Sequence, residues 1–141
     1  MRLESALGGN MSIPQNMKFT RDHEWARTEA DGSITVGITD FAQDQLGDIV
    51  FVELPDEGSS VGQFDAFGVV ESTKSVSDLI SPIGGRVIAV NTDLDGRPEV
   101  VNDDAYGEGW MIRVQPDNPS ELDDLLTASD YETFLGSLDE D

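Results

Sequence analysis

Gly68-Val69-Val70-Glu71-Ser72-Thr73-Lys74-Ser75-Val76-Ser77-Asp78 is the stretch that decides the fold. A short apolar strand runs in, small polar residues turn it, and a second alternating strand runs out. That is a β-hairpin with Lys74 at its tip. Lysine is nearly absent from this chain, occurring only here and at Lys18. A lysine presented on a tight turn in such a chain asks for a chemical reason. Its amine can serve as an attachment point, which a guanidinium cannot.

The same texture continues outward from the hairpin, whose arms span 67–71 and 76–80. Upstream, Ser33-Ile34-Thr35-Val36-Gly37-Ile38 alternates as a strand entered through the Asp31-Gly32 turn. Asp40 with Gln43 reads as a capping box opening a helix over 41–46, stopped at Gly47. The run 48–54 is a strand closed by Pro55, and Glu57-Gly58-Ser59-Ser60 turns the chain. Downstream, Pro82-Ile83-Gly84-Gly85 turns into a strand over 86–90. A loop holding Asp95-Gly96-Arg97-Pro98 follows, and Tyr106-Gly107-Glu108-Gly109 turns into a strand over 110–114. Ser120 reads as the cap of a helix over 121–126, and Ser129 with Glu132 as a capping box for a last helix through Leu138.

This pattern predicts a mainly β fold, a flattened barrel or sandwich with short peripheral helices and a C-terminal helical segment. Residues 1–16 read as an irregular tail. Within it, 1–10 precede Met11, a more natural start, and read as a tag or an overcalled start. Residues 17–141 read as one domain.

Composition sets outer bounds. A chain of 141 residues with 38% hydrophobic content can bury a real core as one domain. No run of about 18 apolar residues offers a membrane span, and the first ten residues lack the apolar stretch of a signal peptide. The absence of cysteine excludes disulfides, thiolate metal sites and a cysteine nucleophile, and fits a reducing cytoplasm. The net charge of −21, from 29 acidic against 8 basic residues, has the wrong sign for nucleic acid. Acid enrichment together with lysine depletion points to a halophilic cytoplasm, where salt screens carboxylate repulsion. No nucleophile–base pair marks an enzyme, and no residue is assigned as catalytic or metal-binding.

Several pieces, in order and at matching separations, carry a family resemblance. They are His23-Glu24-Trp25, Gly37-Ile38-Thr39-Asp40, the run Gln45 to Pro55, Val70-Glu71-Ser72-Thr73-Lys74, Ser81-Pro82-Ile83-Gly84-Gly85, Asn91, and Tyr106-Gly107-Glu108-Gly109-Trp110. Over about 17–138 the chain resembles the H-proteins of the glycine cleavage system. The resemblance implies a lipoyl-domain fold with lipoate amide-linked to Lys74. It implies a carrier, not an enzyme. The cargo is an aminomethyl group, taken from the pyridoxal-phosphate glycine decarboxylase (P-protein) to the tetrahydrofolate-dependent aminomethyltransferase (T-protein). The dithiol is then reoxidised by dihydrolipoamide dehydrogenase (L-protein).

The same resemblance makes Glu71 a contact for the lipoyl-attaching enzyme. It places Asp22, Glu24 and Asp78 at a cleft for the loaded arm, where carboxylates suit a cationic amine. Two departures from the family bear on that cleft: Asp22 stands where relatives commonly have serine, and Phe41 where some have histidine. His23 is given no catalytic role, and Trp25 and Trp110 read as core anchors. Two other readings keep the platform: a lipoyl carrier for a 2-oxo acid dehydrogenase or a biotin carrier, and an unmodified interaction protein or lipoyl relay. Biotin carriers usually flank the lysine with methionines, where this chain has Thr73 and Ser75.

Overall fold

The computed structural model describes residues 13–139, so the reading of 1–10 as a tag or overcalled start lies outside the described residues. In chain order the elements are β1 (Lys18–Phe19), β2 (Glu24–Thr28), β3 (Ile34–Ile38), α1 (Asp40–Leu46), β4 (Ile49–Glu53), β5 (Ser60–Val61), β6 (Ala66–Ser72) and β7 (Val76–Ile80). Then come β8 (Gly85–Val90), α2 (Asp93–Gly96), α3 (Val100–Asp103), β9 (Ile112–Pro116), a 3₁₀ turn over Pro119–Asp124, and α4 (Ala128–Asp139). One antiparallel sheet runs β1-β2-β3-β9-β8-β5 and a second runs β4-β6-β7.

The two sheets share a core. Ile34, Val36 and Val114 from the larger sheet join Val52, Val70 and Leu79 from the smaller. Burying each such side chain contributes about 1.5–3 kcal/mol. Every residue of β3 is buried, which leaves no room for a polar face. Gly37 belongs there because the Trp25 indole crosses it: a Cβ at Gly37 would lie 2.7 Å from the ring. Trp25 is fully buried, and its Nε1–H donates to the Ala105 carbonyl at 3.0 Å. A second, smaller cluster holds α4 against β1 and β2, with Tyr131 stacked on Phe19 at a ring-centroid distance of 4.6 Å.

The mainly β expectation holds, with corrections in the details. Each observed cap lies upstream of the expected one. Thr39, not Asp40, caps α1, its hydroxyl accepting from the Ala42 N–H. The expected Asp40–Gln43 pair does meet, side chain to side chain, at 2.8 Å. Asn118, not Ser120, caps the 3₁₀ turn that replaces the helix expected over 121–126. The Thr127 hydroxyl accepts from the Asp130 N–H at the start of α4, in place of the Ser129–Glu132 box. The expected loop after β8 instead contains the single-turn helices α2 and α3, and β9 begins two residues later than expected. Strands β1, β2 and β5 are additions to the expected set.

Candidate functional site

Local chemistry shapes the hairpin tip. The Ser72 N–H donates to the Ser75 carbonyl at 2.8 Å, closing the turn. The Ser72 hydroxyl oxygen accepts from the Lys74 and Ser75 N–H groups at 3.2 and 3.1 Å. Such a hydroxyl stands in for a backbone acceptor, which is why serine is favoured in turns. Thr73 and Lys74 therefore need no positive φ. Ser72 is buried, whereas Thr73, Lys74 and Ser75 are exposed.

Outside its own turn, the tip leans on the corner between α1 and β4. The Thr73 N–H donates to the Asp48 carbonyl at 3.0 Å. The Lys74 stem lies over Gly47, where a Cβ would come within 3.3 Å of Lys74 Cε. Gly47 has a φ of +88°, so both its conformation and the stem above it favour the absence of a side chain.

A surface cleft of 310 Å³ opens beside this corner. Phe41, Ala42, Gln45 and Leu46 of α1 line it, together with Ile38, Val70 and Leu79. At 1.5 Å rise per residue, the stretch of α1 from Phe41 to Leu46 spans about 9 Å. The cleft is also lined by Asp22, Glu24 and Asp78, so all three expected carboxylates come together. Glu71 does not line it. Glu71 lies in the other direction, on the strand register between Phe51 and Val76, which are 50% and 66% exposed.

The carboxylates differ sharply. Asp22 and Asp78 are exposed, whereas Glu24 is only 2% exposed. Glu24 Oε1 accepts from the Thr20 hydroxyl at 2.6 Å and Oε2 from the Ile80 N–H at 3.1 Å. Burial pushes the Glu24 carboxyl up to about 8, overriding the two hydrogen bonds that favour its ionised form. Thr20 and Ile80 thus tie the β1–β2 turn to the end of β7 through a buried acid.

His23 completes the turn at a φ of +75°. Its ring packs on Phe41 at 4.7 Å, and its Nδ1 lies 2.9 Å from the Tyr131 hydroxyl. That hydroxyl also lies 2.8 Å from Thr39 Oγ1, so the lone histidine joins α4 and the α1 cap. Burial holds its pKa below the usual imidazole value, partly offset by Asp22. His23 also lines the cleft, so its ring faces that opening as well as these packing partners. Trp25 is a core anchor as expected, and Trp110 is a half-buried flank of the smaller cluster.

Sequence reasoning missed Thr20, Ser72 and Asn102. The serine and threonine each precede a turn and were legible as turn hydroxyls. Asn102 lay inside what reads as a loop. Among the described residues, no group of three or more His, Asp or Glu side chains could hold a metal ion.

A family model described as glycine cleavage H-protein matches residues 17–137. The chain belongs to the glycine cleavage H-protein family. The glycine cleavage system H protein of Anaeromyxobacter sp. (strain K) is 54% identical over 125 residues, spanning 89% of this chain and 97% of that protein. That of Magnetococcus marinus is 55% identical over 125 residues, 89% of each. The crystal structure of a glycine cleavage system H protein from Mycobacterium marinum matches with a TM-score of 0.80 at 44% identity, covering 88% of this chain and 99% of that one. H-proteins carry lipoate covalently on a lysine and are carriers, not catalysts. The two sheets are accordingly a lipoyl-domain-like sandwich, and this H-protein has the role of a lipoylated shuttle.

Proposed function

We propose that Lys74 is the lipoyl attachment site, and that the domain over 17–141 carries the aminomethyl group of glycine from the P-protein to the T-protein and presents the dithiol to the L-protein. The observation that carries this is the placement of Lys74. It is exposed at the tip of the β6–β7 hairpin, with its stem over Gly47, next in sequence to the cleft-lining Leu46. Lys18 lies in β1 and is half-buried. Lys74 does not itself line the cleft, but Gly47 under its stem follows Leu46, which does. An acyl chain joined to Lys74 therefore has the apolar face of α1 and the cleft carboxylates within reach. Once joined to Lys74, lipoate supplies the sulfur chemistry that a chain without cysteine lacks. A tether raises the local concentration of its cargo at each partner's active site.

Other residues take supporting roles. Asp22 and Asp78 provide negative charge for a cationic cargo, and Glu24 adds its own once it gives up its proton. Glu71, with Phe51 and Val76 exposed beside it, offers the lipoyl-attaching enzyme a mixed acidic and apolar contact a few residues from Lys74.

Intact-mass analysis tests the assignment. Protein incubated with the lipoyl-attaching enzyme and activated lipoate gains one lipoyl group, and Lys74→Arg gains none. The variant keeps its fold, because exposed substitutions usually shift stability by no more than about 0.5 kcal/mol. A lipoyl group on Lys18, or full glycine cleavage by Lys74→Arg, would overturn the reading.

We further infer a halophilic cytoplasm as the working environment, on the strength of the charge. Among the described residues only Arg27 and Glu29 form an ion pair within 4.0 Å, at 2.9 Å. With 29 acidic against 8 basic residues, the acids outnumber the basic groups that could pair with them more than threefold. At 1 M salt the Debye length is about 3 Å, which removes most of their repulsion. The melting midpoint is expected to rise steadily from dilute buffer to molar potassium chloride. A flat series counts against the salt reading and leaves the carrier role untouched.

A further inference from the structure

We propose that Asn102 is a positioning residue for Lys74. Its carboxamide locks the α1–β4 corner that supports the hairpin tip and the lysine stem. The proposal deepens the reading of Lys74 as the attachment site and rests on it.

Three hydrogen bonds converge on this side chain from α3. Oδ1 accepts from the Ile49 N–H at 2.8 Å. Nδ2 donates to the Gly47 carbonyl at 3.0 Å and to Gln43 Oε1 at 2.8 Å. The partners fix the amide's orientation: a flipped group would set N–H against N–H and oxygen against oxygen. One side chain thus bridges the last turn of α1, its glycine cap and the first residue of β4. Gln43 passes the constraint on, its Nε2 donating to Asp40 Oδ1 at 2.8 Å.

The corner held this way is the one the lysine uses. Asp48, between the two clamped residues, accepts the Thr73 N–H, and Gly47 lies under the Lys74 stem. Ile49 also pairs with Ser72 in the sheet register. The chain of contacts therefore runs from Asn102 to the corner and from the corner to the tip, with no contact between Asn102 and Lys74 required. No aliphatic side chain could supply one acceptor and two donors in these directions. Aspartate keeps the acceptor but loses both donors and faces the Gly47 carbonyl with a second oxygen.

The test uses the full chain with Asn102→Ala and Asn102→Asp, and two readouts at temperatures where melting curves show both variants folded. The first is amide hydrogen exchange at Thr73, expressed relative to Val36 in the buried strand β3. Local loosening of the tip raises that ratio about tenfold, whereas general destabilisation moves both amides together. The second is kcat/KM for lipoyl attachment, expected to fall about tenfold because the amine is no longer pre-positioned. Raising stability with molar potassium chloride leaves this loss in place. An unchanged exchange ratio, or unchanged attachment in a loosened tip, overturns the proposal. If neither alanine nor aspartate folds, Gln43→Ala removes one corner bond and is expected to show the same ratio change at smaller size. Wild-type attachment is mapped in the same series. Modification elsewhere than Lys74 would refute the attachment reading, while the Thr73 exchange ratio would still report on the corner.

Discussion

The β1–β2 turn lines the cleft, the hairpin tip closes off two strands that line it, and one hydroxyl organises each turn. Ser72 Oγ accepts two backbone N–H groups in the hairpin tip, from Lys74 and Ser75. Thr20 Oγ1 accepts two in the β1–β2 turn, from Asp22 and Glu24, both at 3.1 Å. Their surroundings then diverge. The Thr20 hydroxyl donates to a buried carboxyl, and the turn's histidine is walled by Phe41, Tyr131 and Phe134. The Ser72 hydroxyl donates to a backbone carbonyl of its own turn, and the residues it organises face water. The same local device makes a clamp in one place and a handle in the other. What separates them is tertiary backing, which decides whether a turn stores stability or presents a group.

Removing each hydroxyl is the strongest way to break this comparison. Thr20→Ala strips the donor from a carboxyl that is 2% exposed and leaves two backbone donors without their acceptor. The expected cost is about 2–3 kcal/mol in a denaturant titration, with lipoyl attachment intact in the folded fraction. Ser72→Ala costs about 1 kcal/mol and slows attachment instead. Equal stability losses would show that the two turns are backed alike and that the contrast is wrong.

Acidity sharpens the comparison at the next level. The folded-state value of Glu24 is about 8, against an ordinary 4.5. Below 4.5 the carboxyl is protonated in both states. As pH rises toward 8 the unfolded chain gives up this proton and the folded chain keeps it, so stability falls through that window. Between pH 6 and 8 the expected loss is about 2 kcal/mol, at roughly 1.4 kcal/mol per pH unit and less as the folded value of about 8 is approached. Melting midpoints at fixed molar salt check it. Glu24→Gln flattens the slope, and Ser72→Ala leaves it in place. A wild-type midpoint that is level from pH 6 to 8 refutes the assignment of a buried, neutral acid.

The clamp and the handle were not equally legible in the sequence. The handle was readable because its arms alternate and its turn is small and polar, so 67–71 and 76–80 both appear as strands. The β1–β2 clamp was not. β1 is only two residues long, and β2 opens on a buried glutamate, which breaks the apolar pattern of an inward strand. Residues 22, 24 and 78 entered the candidate site by family resemblance alone, and their meeting at one cleft is a tertiary fact. The misplaced caps have a common cause. Thr39 precedes Asp40, Asn118 precedes Ser120 and Thr127 precedes Ser129, so each helix offered two competent capping side chains. Propensity alone does not choose between them. Asn102 was hidden because α3 is a single turn, too short to show periodicity.

The smallest expected effect asks which side of the cleft holds the cargo. Asp78, on the handle's second strand, is exposed and has no side-chain hydrogen bond among the described residues, so its charge is free to meet a cation. Glu24, on the clamp, has both oxygens engaged and holds its proton near neutral pH. A nearby cationic amine favours its ionised form, so the clamp contributes only after giving up that proton. Replacing both with their amides leaves lipoyl attachment untouched and removes the charge-assisted part of the hold. The measurement is the decay of aminomethyl-loaded protein to ammonia and formaldehyde without T-protein, at fixed molar salt so that general charge effects are screened. The double variant is expected to decay about threefold faster than wild type, a modest change because each lost contact is partly solvated. Asp78→Asn alone should account for most of it at pH 7, and the share due to Glu24→Gln should grow as pH rises past 8. Identical decay in all four proteins would mean that these carboxylates are surface charge and a fold clamp, and that the apolar face of α1 alone retains the arm.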